Sequence, residues 1–374
     1  MKAAVVAGTR PEIIRVAVLV KELQKRKIDF SFIHTGQHYD FNMSGVFIKE
    51  LGLPEPDFKL EYRAQTHAEH IAATMPFLEK IFSENKFDVV FVQGDTDSTL
   101  SAALASVKIH IPIGHIEAGP RCYDLRKPEE VNRILVDHIS SLLFATSEEC
   151  KLNLLKENLP EKRIFVTGNT IIDACYEFRE VAKQKAGIYK KIKPKNYILV
   201  TLHRAETVDH KDKLEGFVKA LVELSDSHEI IFPIHPRTIK MLEKFNLKNL
   251  LNKKNINIID PLGYFDFIAF LNNSKILLTD SGGALKEATA YKVPTILYAE
   301  NWPDVEGQDV FWKLSGHSKK SITSLSKSMM TSTFKESVKN LPSPFGDGKS
   351  SKRILDITLD FFKRGDLKVP EKRK

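Results

Sequence analysis

The chain is poor in cysteine, and none of its three cysteines, Cys122, Cys150 and Cys175, forms a CxxC pair with another. This spacing indicates neither a disulfide framework nor a zinc site. No apolar run approaches the ~18 residues that a membrane-spanning helix needs. The first eight residues are too few for a signal peptide and predict a strand. From these absences we expect a cytoplasmic protein with no membrane span and no metal site.

The chain also lacks the GxGxxG pattern of dinucleotide-binding proteins. Its formal net charge is +8, which raises the question of nucleic-acid binding. The lysines, however, are scattered through predicted helices, and no aromatic–basic stripe accompanies them. We therefore expect no nucleic-acid partner. A basic cleft for an anionic substrate would account for part of the excess charge, and a solvated surface for the rest.

What the chain does have is a regular alternation of strand and helix patterns with short connections. Its 374 residues, 42% of them hydrophobic, suit two globular domains. Strands are predicted at 3–7, 30–35, 89–93, 111–116, 142–145, 164–167, 197–201, 230–234, 256–259, 276–279 and 295–298. Helices are predicted at 13–25, 68–82, 99–107, 212–223, 238–245, 265–271 and 284–291. This order is typical of βα units on a parallel sheet.

The polar stretch 189–195 contains Pro194 and interrupts the alternation, so we place a domain boundary there. The first domain is predicted to span 1–188 and the second to begin at 189. The predicted fold class is α/β, with two doubly wound, Rossmann-like domains facing a central cleft. Ligands of such sheets bind at the carboxyl ends of the strands.

Polar clusters stand immediately after five of the predicted strands. They are Gly8-Thr9-Arg10, Gly94-Asp95, Glu117-Ala118-Gly119, His203-Arg204 and Asp280-Ser281-Gly282. Their shared position is stronger evidence for a functional edge than any single cluster.

The run Thr279–Gly283 ends a strand, turns the chain and opens a helix that carries Glu287. The N–H groups at a helix start, together with the positive end of the helix dipole, favour phosphate. Glu287 is suited to accept hydrogen bonds from two vicinal hydroxyls, such as those of a ribose. A nucleoside diphosphate site is one interpretation. A glycine-containing strand–helix turn without function explains the run equally well.

Carboxylates follow two strands of the first half. Asp95 is expected to be partly out of water, although it could instead cap the next helix, a role that Thr96 or Ser98 would also fill. Glu117 at a strand end is suited to face a substrate, or it forms a salt bridge with Arg121 or Arg133. His115 is interpreted as a buried, hydrogen-bonded histidine.

A third carboxylate comes from Glu129 or Glu130, which open a helix after Pro128. Acidic residues in a first helical turn are favoured by the helix dipole alone. Three carboxylates near a phosphate site nevertheless suit acid/base catalysis. A divalent-cation site is the competing interpretation, but no DxD motif stands in a suitable loop.

Cations also stand at strand ends. Arg10 precedes Pro11 at a predicted helix start, where the guanidinium and the helix dipole would address the same anion. His203-Arg204 and His235-Pro236-Arg237 end two strands of the second half.

With these motifs in place, the chain closely resembles the UDP-N-acetylglucosamine 2-epimerase family, in its non-hydrolysing branch. The matching motifs cover almost the whole chain and occur in the same order as in the family. It is carried by Gly8-Thr9-Arg10-Pro11-Glu12, Gly36-Gln37-His38-Tyr39, Gln93-Gly94-Asp95-Thr96, Gly114-His115-Ile116-Glu117-Ala118-Gly119, Pro128-Glu129-Glu130-Val131-Asn132-Arg133, Thr167-Gly168-Asn169-Thr170, Thr201-Leu202-His203-Arg204-Ala205-Glu206, Thr279-Asp280-Ser281-Gly282-Gly283 and Pro344-Phe345-Gly346-Asp347-Gly348.

The resemblance implies the GT-B fold, with a second domain over 189–351 and a last segment, 352–374, whose helix returns to the first domain. It also implies a cofactor-free reaction on a UDP-sugar, in a homodimer. UDP leaves C1 while a proton leaves C2, and re-addition to the enzyme-bound 2-acetamidoglucal on the other face gives UDP-N-acetylmannosamine.

The resemblance also assigns roles by position. The implied catalytic residues are Asp95, Glu117 and Glu129, as acid/base carboxylates, and His203, as a diphosphate contact. The implied substrate-binding residues are Arg10, Arg15, His203, Ser281, Gly282, Gly283 and Glu287. In bacterial members Gln37 and His38 lie near a second, activating nucleotide-sugar site.

Some positions depart from the family pattern. Arg15 stands where the family usually has Lys, and Trp302 replaces the Arg of a loop that borders the sugar in relatives. A 2-epimerase acting on a diacetamido-uronate sugar is therefore an alternative. A GT-B glycosyltransferase and an inactive nucleotide-sugar binding protein are further alternatives, and the hydrolysing branch fits less well.

Overall fold

A computed structural model of the chain describes residues 1–36, 47–62, 64–192, 194, 196–302 and 305–370. The chain divides into two compact units. The first comprises residues 1–174 with 345–374, and the second comprises residues 175–344. Among the helices described, none is long and apolar enough to cross a membrane.

The strands and helices follow the alternation that the sequence predicts. The strands are β1 Lys2–Ala7, β2 Asp29–His34, β3 Phe58–Lys59, β4 Val89–Gln93, β5 Ile113–Ala118, β6 Leu142–Ala145, β7 Ile164–Val166, β8 Tyr197–Thr201, β9 Glu229–Pro233, β10 Ile256–Ile259, β11 Ile276–Thr279, β12 Thr295–Leu297 and β13 Trp312–Leu314. The helices are α1 Arg10–Lys25, α2 His67–Asn85, α3 Asp97–Lys108, α4 Pro128–Ile139, α5 Glu148–Lys156, α6 Thr170–Glu177, α7 Arg179–Lys185, α8 Gly187–Ile192, α9 Ala205–Val208, α10 Lys211–Leu224, α11 Pro236–Lys244, α12 Tyr264–Asn273, α13 Gly282–Ala290, α14 Lys319–Met329, α15 Ser332–Lys339 and α16 Ser350–Arg364.

The first unit is built on a seven-stranded sheet in the order β3-β2-β1-β4-β5-β6-β7. Its neighbouring strands are parallel. The central strands are continuous apolar runs because helices cover both faces of such a sheet. Phe32, Phe91 and Phe144 are accordingly fully buried.

The second unit is built on a six-stranded parallel sheet in the order β10-β9-β8-β11-β12-β13. Its core includes the fully buried Tyr197, Phe232 and Trp312. In both sheets the strand order reverses at the centre, between β1 and β4 and between β8 and β11. Crevices at such reversal points are where ligands of doubly wound sheets bind.

The structure confirms the predicted fold class of two doubly wound α/β sheets. Two edge strands, β3 and β13, were not predicted, because strands of two and three residues carry too little periodicity to be recognised.

The limits of the compact units lie at 174/175 and 344/345, whereas the sequence placed domain limits at 188/189 and 351/352. Helix α8 belongs to the second unit because the Tyr189 amide donates to Asp266 (2.9 Å). At the other limit, the carbonyl of Phe345 accepts from the Asn169 amide (2.7 Å), which ties Phe345 to the first unit.

Candidate active site

The first turn of α1 is fixed by Glu12, which is buried. Its Oε2 accepts hydrogen bonds from the amides of Gly8 (2.9 Å) and Thr9 (2.7 Å). Its Oε1 accepts from the hydroxyls of Thr96 (2.6 Å) and Thr99 (2.9 Å). Glu12 therefore joins the loops that follow β1 and β4, and it forms a capping box with Thr9 at this helix start.

Arg10 is the first residue of α1 and is partly exposed. It forms no ion pair with any residue that the structure describes. A cation at a helix N-terminus lies beside like charge, since the helix dipole is positive there. A bound anion would offset the positive charge of the Arg10 guanidinium and the positive end of the helix dipole.

Glu117 lies at the end of β5 with a left-handed backbone, φ 69°. Non-glycine residues rarely adopt this conformation, and it recurs at functional sites. The pairing of β5 with β6 shifts register between Ile116 and Ala118, so Glu117 is the extra residue of a bulge. Its side chain is 11% exposed.

The Glu117 carboxylate is held through both oxygens. Gln93 Nε2 donates to Oε2 (2.5 Å), and Asn169 Nδ2 donates to Oε1 (2.9 Å). Arg15 Nε lies 3.6 Å from Oε2. The alternative interpretation, a salt bridge from Glu117 to Arg121 or Arg133, is wrong, because those two arginines pair with other carboxylates.

Asp95 follows β4 and forms an ion pair with Arg133 on α4. Its side chain is 32% exposed. Although burial opposes it, the charges of Asp95 and Glu130 raise the pKa of Arg133. Asp95 does not cap α3, since the N-cap is Thr96, whose hydroxyl accepts from the Thr99 amide (3.1 Å). The Asp95 carboxylate is thus paired but still open to solvent.

The two glutamates at the start of α4 have different surroundings. Glu130 is fully buried and accepts from the amides of Cys122 (3.0 Å) and Tyr123 (2.7 Å) and from Arg133 (3.0 Å). Glu129 is exposed. Glu130 is occupied in holding the preceding loop, and this leaves Glu129 as the accessible carboxylate of the pair.

His115 has the structural role that the sequence suggested. It is fully buried, with Nδ1 2.7 Å from Asp137 Oδ1 and Nε2 2.8 Å from the Gly94 carbonyl. Asp137 also pairs with Arg121 (2.8 Å) and accepts from the Gly119 amide (3.2 Å). Although burial opposes it, His115 and Arg121 hold the pKa of Asp137 below its usual range. This network fixes the backbone on both sides of Glu117 and the residue before Asp95.

In the second unit, Asp280 organises the loop after β8. Its carboxylate is buried and accepts from the amides of His203 (3.0 Å) and Arg204 (2.8 Å). Burial raises the pKa of Asp280, against the opposing effect of the His203 charge and these amide donors. The His203 ring remains 42% exposed, with Nδ1 3.6 Å from Asp280 Oδ1. Asp280 therefore sets where His203 lies relative to α13.

Helix α13 begins immediately after this loop. Ser281 is its N-cap and accepts from the Ala284 amide (3.4 Å), and Gly282 and Gly283 form its first turn. Trp302 packs here, because a Cβ at Gly282 would lie 2.4 Å from its Cζ2. The Arg204 guanidinium lies over the Trp302 ring, 4.5 Å from the centroid. The helix start thus combines an aromatic face and a cation with first-turn N–H groups that have no acceptor within the helix.

Glu287 lies further along α13 and is buried. Burial raises the pKa of Tyr264 and of Tyr291, and the charges of Cys175 and Glu287 add to the effect. Glu287 therefore lies beside two tyrosines.

The remaining strand-end cations of the second unit have different partners. The His235 ring lies 5.6 Å from that of His203, and burial together with the His203 charge lowers the pKa of His235. Arg237 pairs with Asp209 (2.5 Å). Arg237 is thus held by a carboxylate, and the neighbouring histidines His203 and His235 remain the candidates at these strand ends.

Most predicted site residues thus gather in two groups, one in each unit. Asp95 follows β4 and Glu117 lies at the end of the adjacent β5, and Asn132 on the Glu129 helix donates to the Asp95 carbonyl (3.0 Å). His203 and Ser281 likewise follow adjacent strands. Gln37 and His38 lie outside the described residues.

Sequence reasoning did not assign roles to Gln93 and Asn169, although both stand in strand-end motifs. Within the described part of the chain, no cluster of three His, Cys, Asp or Glu side chains is arranged to hold a metal ion.

Comparison with known proteins gives a consistent result. A family model described as UDP-N-acetylglucosamine 2-epimerase matches residues 21–359. The chain is 41% identical over 365 residues to the UDP-N-acetylglucosamine 2-epimerase of Methanocaldococcus jannaschii, covering 96% of this chain and 98% of that protein. It is 34% identical to the UDP-2,3-diacetamido-2,3-dideoxy-D-glucuronate 2-epimerase of Pseudomonas aeruginosa, covering 95% and 99%. The crystal structure of the Methanocaldococcus jannaschii enzyme in complex with UDP-GlcNAc and UDP superposes with a TM-score of 0.86 at 40% identity, covering 96% of this chain and 100% of that chain.

Proposed function

The chain belongs to the UDP-N-acetylglucosamine 2-epimerase family of isomerases, and on this basis we propose that it interconverts UDP-N-acetylglucosamine and UDP-N-acetylmannosamine. Similarity along 96% of the chain to an enzyme of that name supports the assignment. The observation that carries it is the Glu117 carboxylate, held by two neutral amides at a left-handed strand end.

The reaction we propose is an elimination followed by re-addition. The C1–O bond breaks and its electron pair leaves with UDP, while the C2 proton passes to a carboxylate and a C1–C2 double bond forms. UDP then adds back to C1 as a proton is delivered to the opposite face of C2. Because the C2 proton is not acidic, C1–O cleavage runs ahead, and groups that stabilise the leaving diphosphate lower the barrier.

We assign the proton transfers to Asp95, Glu117 and Glu129. A carboxylate that serves as base or acid must reach the substrate. Asp95 is partly exposed, Glu129 is exposed, and Glu117 retains an exposed edge. Glu130 is excluded because its oxygens are occupied by the loop that precedes α4.

We assign the nucleotide to the start of α13 and the loop after β8. Ser281, Gly282 and Gly283 would offer amides to the diphosphate, and the exposed His203 would stabilise charge on departing UDP. Glu287 is the proposed ribose contact. From the first unit, Arg10 and Arg15 are the proposed additional cations.

Two alternatives concern the outcome rather than the nucleotide. The first alternative is a diacetamido-uronate substrate. It is motivated by Trp302, which stands in place of the family's Arg, and by the 34% identity to the Pseudomonas aeruginosa enzyme. A glycosyltransferase would need one base at most, so three carboxylates argue against it. Assembly as a homodimer is proposed from the family resemblance alone.

The test is proton NMR of UDP-N-acetylglucosamine incubated with the protein in D₂O. We expect deuterium at C2 together with new UDP-N-acetylmannosamine signals. The Glu117→Gln variant should slow both by on the order of 10²–10⁴ while UDP binding is retained. If the wild-type protein binds UDP but gives neither exchange nor product, this substrate is wrong. The diacetamido-uronate nucleotide is then tested in the same way.

A further inference from the structure

Glu117 is held by residues from two distant segments of the first unit. Gln93 ends β4, and its side-chain amide lies 2.5 Å from Oε2, whereas Asn169 precedes α6, and its amide lies 2.9 Å from Oε1. The proposed substrate contacts do not include either residue. Each donates a neutral N–H to the same carboxylate.

The orientation of both amides is determined by chemistry. An ionised carboxylate only accepts hydrogen bonds, so each amide must present its nitrogen to Glu117. Asn169 is fixed further because its Oδ1 accepts from the Ile171 main-chain amide (3.0 Å) and its main-chain N–H donates to the Phe345 carbonyl (2.7 Å). Gln93 is fully buried, and its main-chain carbonyl accepts from the Thr99 hydroxyl (2.7 Å), which holds the end of β4. The Asn169 side chain is thus held through both its oxygen and its nitrogen, whereas the Gln93 side chain is held by burial and by its bond to Glu117.

Neutral donors suit a base better than cations do. A hydrogen bond to the charged form keeps a carboxylate ionised, and a neutral amide does so without adding a positive charge that would weaken proton uptake. The charged group that the structure places beside Glu117 is Arg15 on α1, with Nε at 3.6 Å. His115 on the same strand is turned to Asp137 and Gly94. The left-handed backbone of Glu117 adds a second constraint on its direction.

We propose that Gln93 and Asn169 are positioning residues that hold the Glu117 carboxylate ionised and aimed at the proton it transfers. This inference rests on the proposed epimerase function. Both residues are buried, so they act on turnover through Glu117 and not by contact with the substrate.

The test uses Gln93→Met and Asn169→Leu, which keep side-chain size and remove the donor. We expect kcat to fall by about 10- to 100-fold, the effect of a small misplacement of a reacting group, with KM and UDP affinity unchanged. Since the charged carboxylate loses a donor, the acid limb of the kcat/KM profile should move to higher pH.

Asn169→Asp is the sharper variant. It keeps the oxygen that accepts from the Ile171 amide, so the fold at the start of α6 is retained, but it places a second carboxylate against Glu117. The acid limb of the kcat/KM profile should move to a higher pH than in Asn169→Leu, since a neighbouring like charge disfavours ionisation of Glu117.

Asn257→Leu is the matched control, because Asn257 donates to Glu229 at the same distance of 2.9 Å in the second unit. It should leave the kinetics unchanged. Folding of each variant is checked by thermal unfolding.

Wild-type kcat and an unshifted pH profile in the folded Gln93 and Asn169 variants would overturn the proposal. A fall in kcat with no shift of the acid limb in any variant would also overturn it, because that result indicates a structural role only. These outcomes differ from failure of the proposed function, in which the wild-type protein itself gives no exchange at C2.

Discussion

At the scale of single residues, Glu129 and Glu130 are adjacent and identical, but their surroundings give them different roles. Removing the charge of the buried Glu130 in Glu130→Gln weakens bonds to two amides and to Arg133. We expect the free energy of unfolding in urea to fall by about 1–3 kcal/mol, the usual cost of disturbing buried hydrogen bonds to a charged group. Glu129→Gln is the matched control for stability, since surface substitutions change it by less than about 0.5 kcal/mol.

The same two variants distinguish an effect on stability from an effect on turnover. If Glu129 is the third acid/base carboxylate, Glu129→Gln should slow epimerisation by roughly 10²-fold or more in an otherwise intact protein. The assignment would be contradicted if Glu130→Gln, and not Glu129→Gln, selectively abolished turnover at unchanged stability.

His34, at the end of β2, makes stability depend on pH. Burial, together with the charge of Lys59, lowers the pKa of His34 to about 4. The unfolded chain takes up a proton below about pH 6.5 and the native chain does not. The contribution of His34 to the free energy of unfolding is therefore fully present above pH 6.5. It falls by about 3 kcal/mol as the pH drops toward 4.

We expect this loss in urea unfolding at pH 7, 5 and 4, and a smaller loss in His34→Gln. His210→Gln, which removes an exposed histidine, should keep the wild-type slope. An equal slope in the wild-type and His34→Gln proteins would show that His34 is not the group responsible.

At the scale of elements, the strand ends were predictable and their cross-connections were not. Buried apolar runs followed by Gly, Asp or Ser are local signals, and they located the loops that carry Asp95, Glu117 and Ser281. The donors to Glu117 come from 24 and 52 residues away, so no local pattern pairs them with it.

The backbone conformation of these strand ends also could not be predicted from local sequence. In the run Glu117-Ala118-Gly119, glycine is the expected left-handed residue, yet Glu117 adopts φ 69° as well as Gly119 at 90°. The choice between Glu129 and Glu130 likewise depended on the loop at Cys122, which only tertiary structure places against Glu130.

The start of α13 gives a prediction that belongs to a whole element. Gly282→Ala places a Cβ 2.4 Å from the Trp302 indole, so the ring must move. Overpacking of this kind costs about 1–3 kcal/mol, and we expect UDP affinity to fall about tenfold if the nucleotide binds at this helix start. Isothermal titration calorimetry measures the affinity, and tryptophan emission reports the displaced ring.

Gly263→Ala is the control at another helix start. Gly263 precedes α12 with φ −66°, and nothing lies within 4 Å of its added Cβ. It should bind UDP as the wild type does. Unchanged affinity and emission in Gly282→Ala would mean that the nucleotide site and Trp302 are unconnected.

At the scale of the whole molecule, the two compact units are distinguishable by their fluorescence. The chain has two tryptophans, Trp302 and Trp312, and both lie in the second unit. Tryptophan emission therefore follows the unfolding of that unit, whereas far-ultraviolet circular dichroism follows both. A ligand that binds only the native state stabilises the unit that binds it.

If UDP binds at α13, a concentration of 100 times its Kd should raise the free energy of unfolding seen by tryptophan emission by about 2.7 kcal/mol. Uridine, which lacks the diphosphate, should give a much smaller shift, since the amides at the helix start would have no anion to bind. If the units unfold in one cooperative step, circular dichroism shifts equally, and if they unfold separately, only part of its transition moves. A shift confined to circular dichroism, with the tryptophan transition unmoved, would assign the nucleotide to the first unit and contradict the proposed role of Ser281 and Gly282.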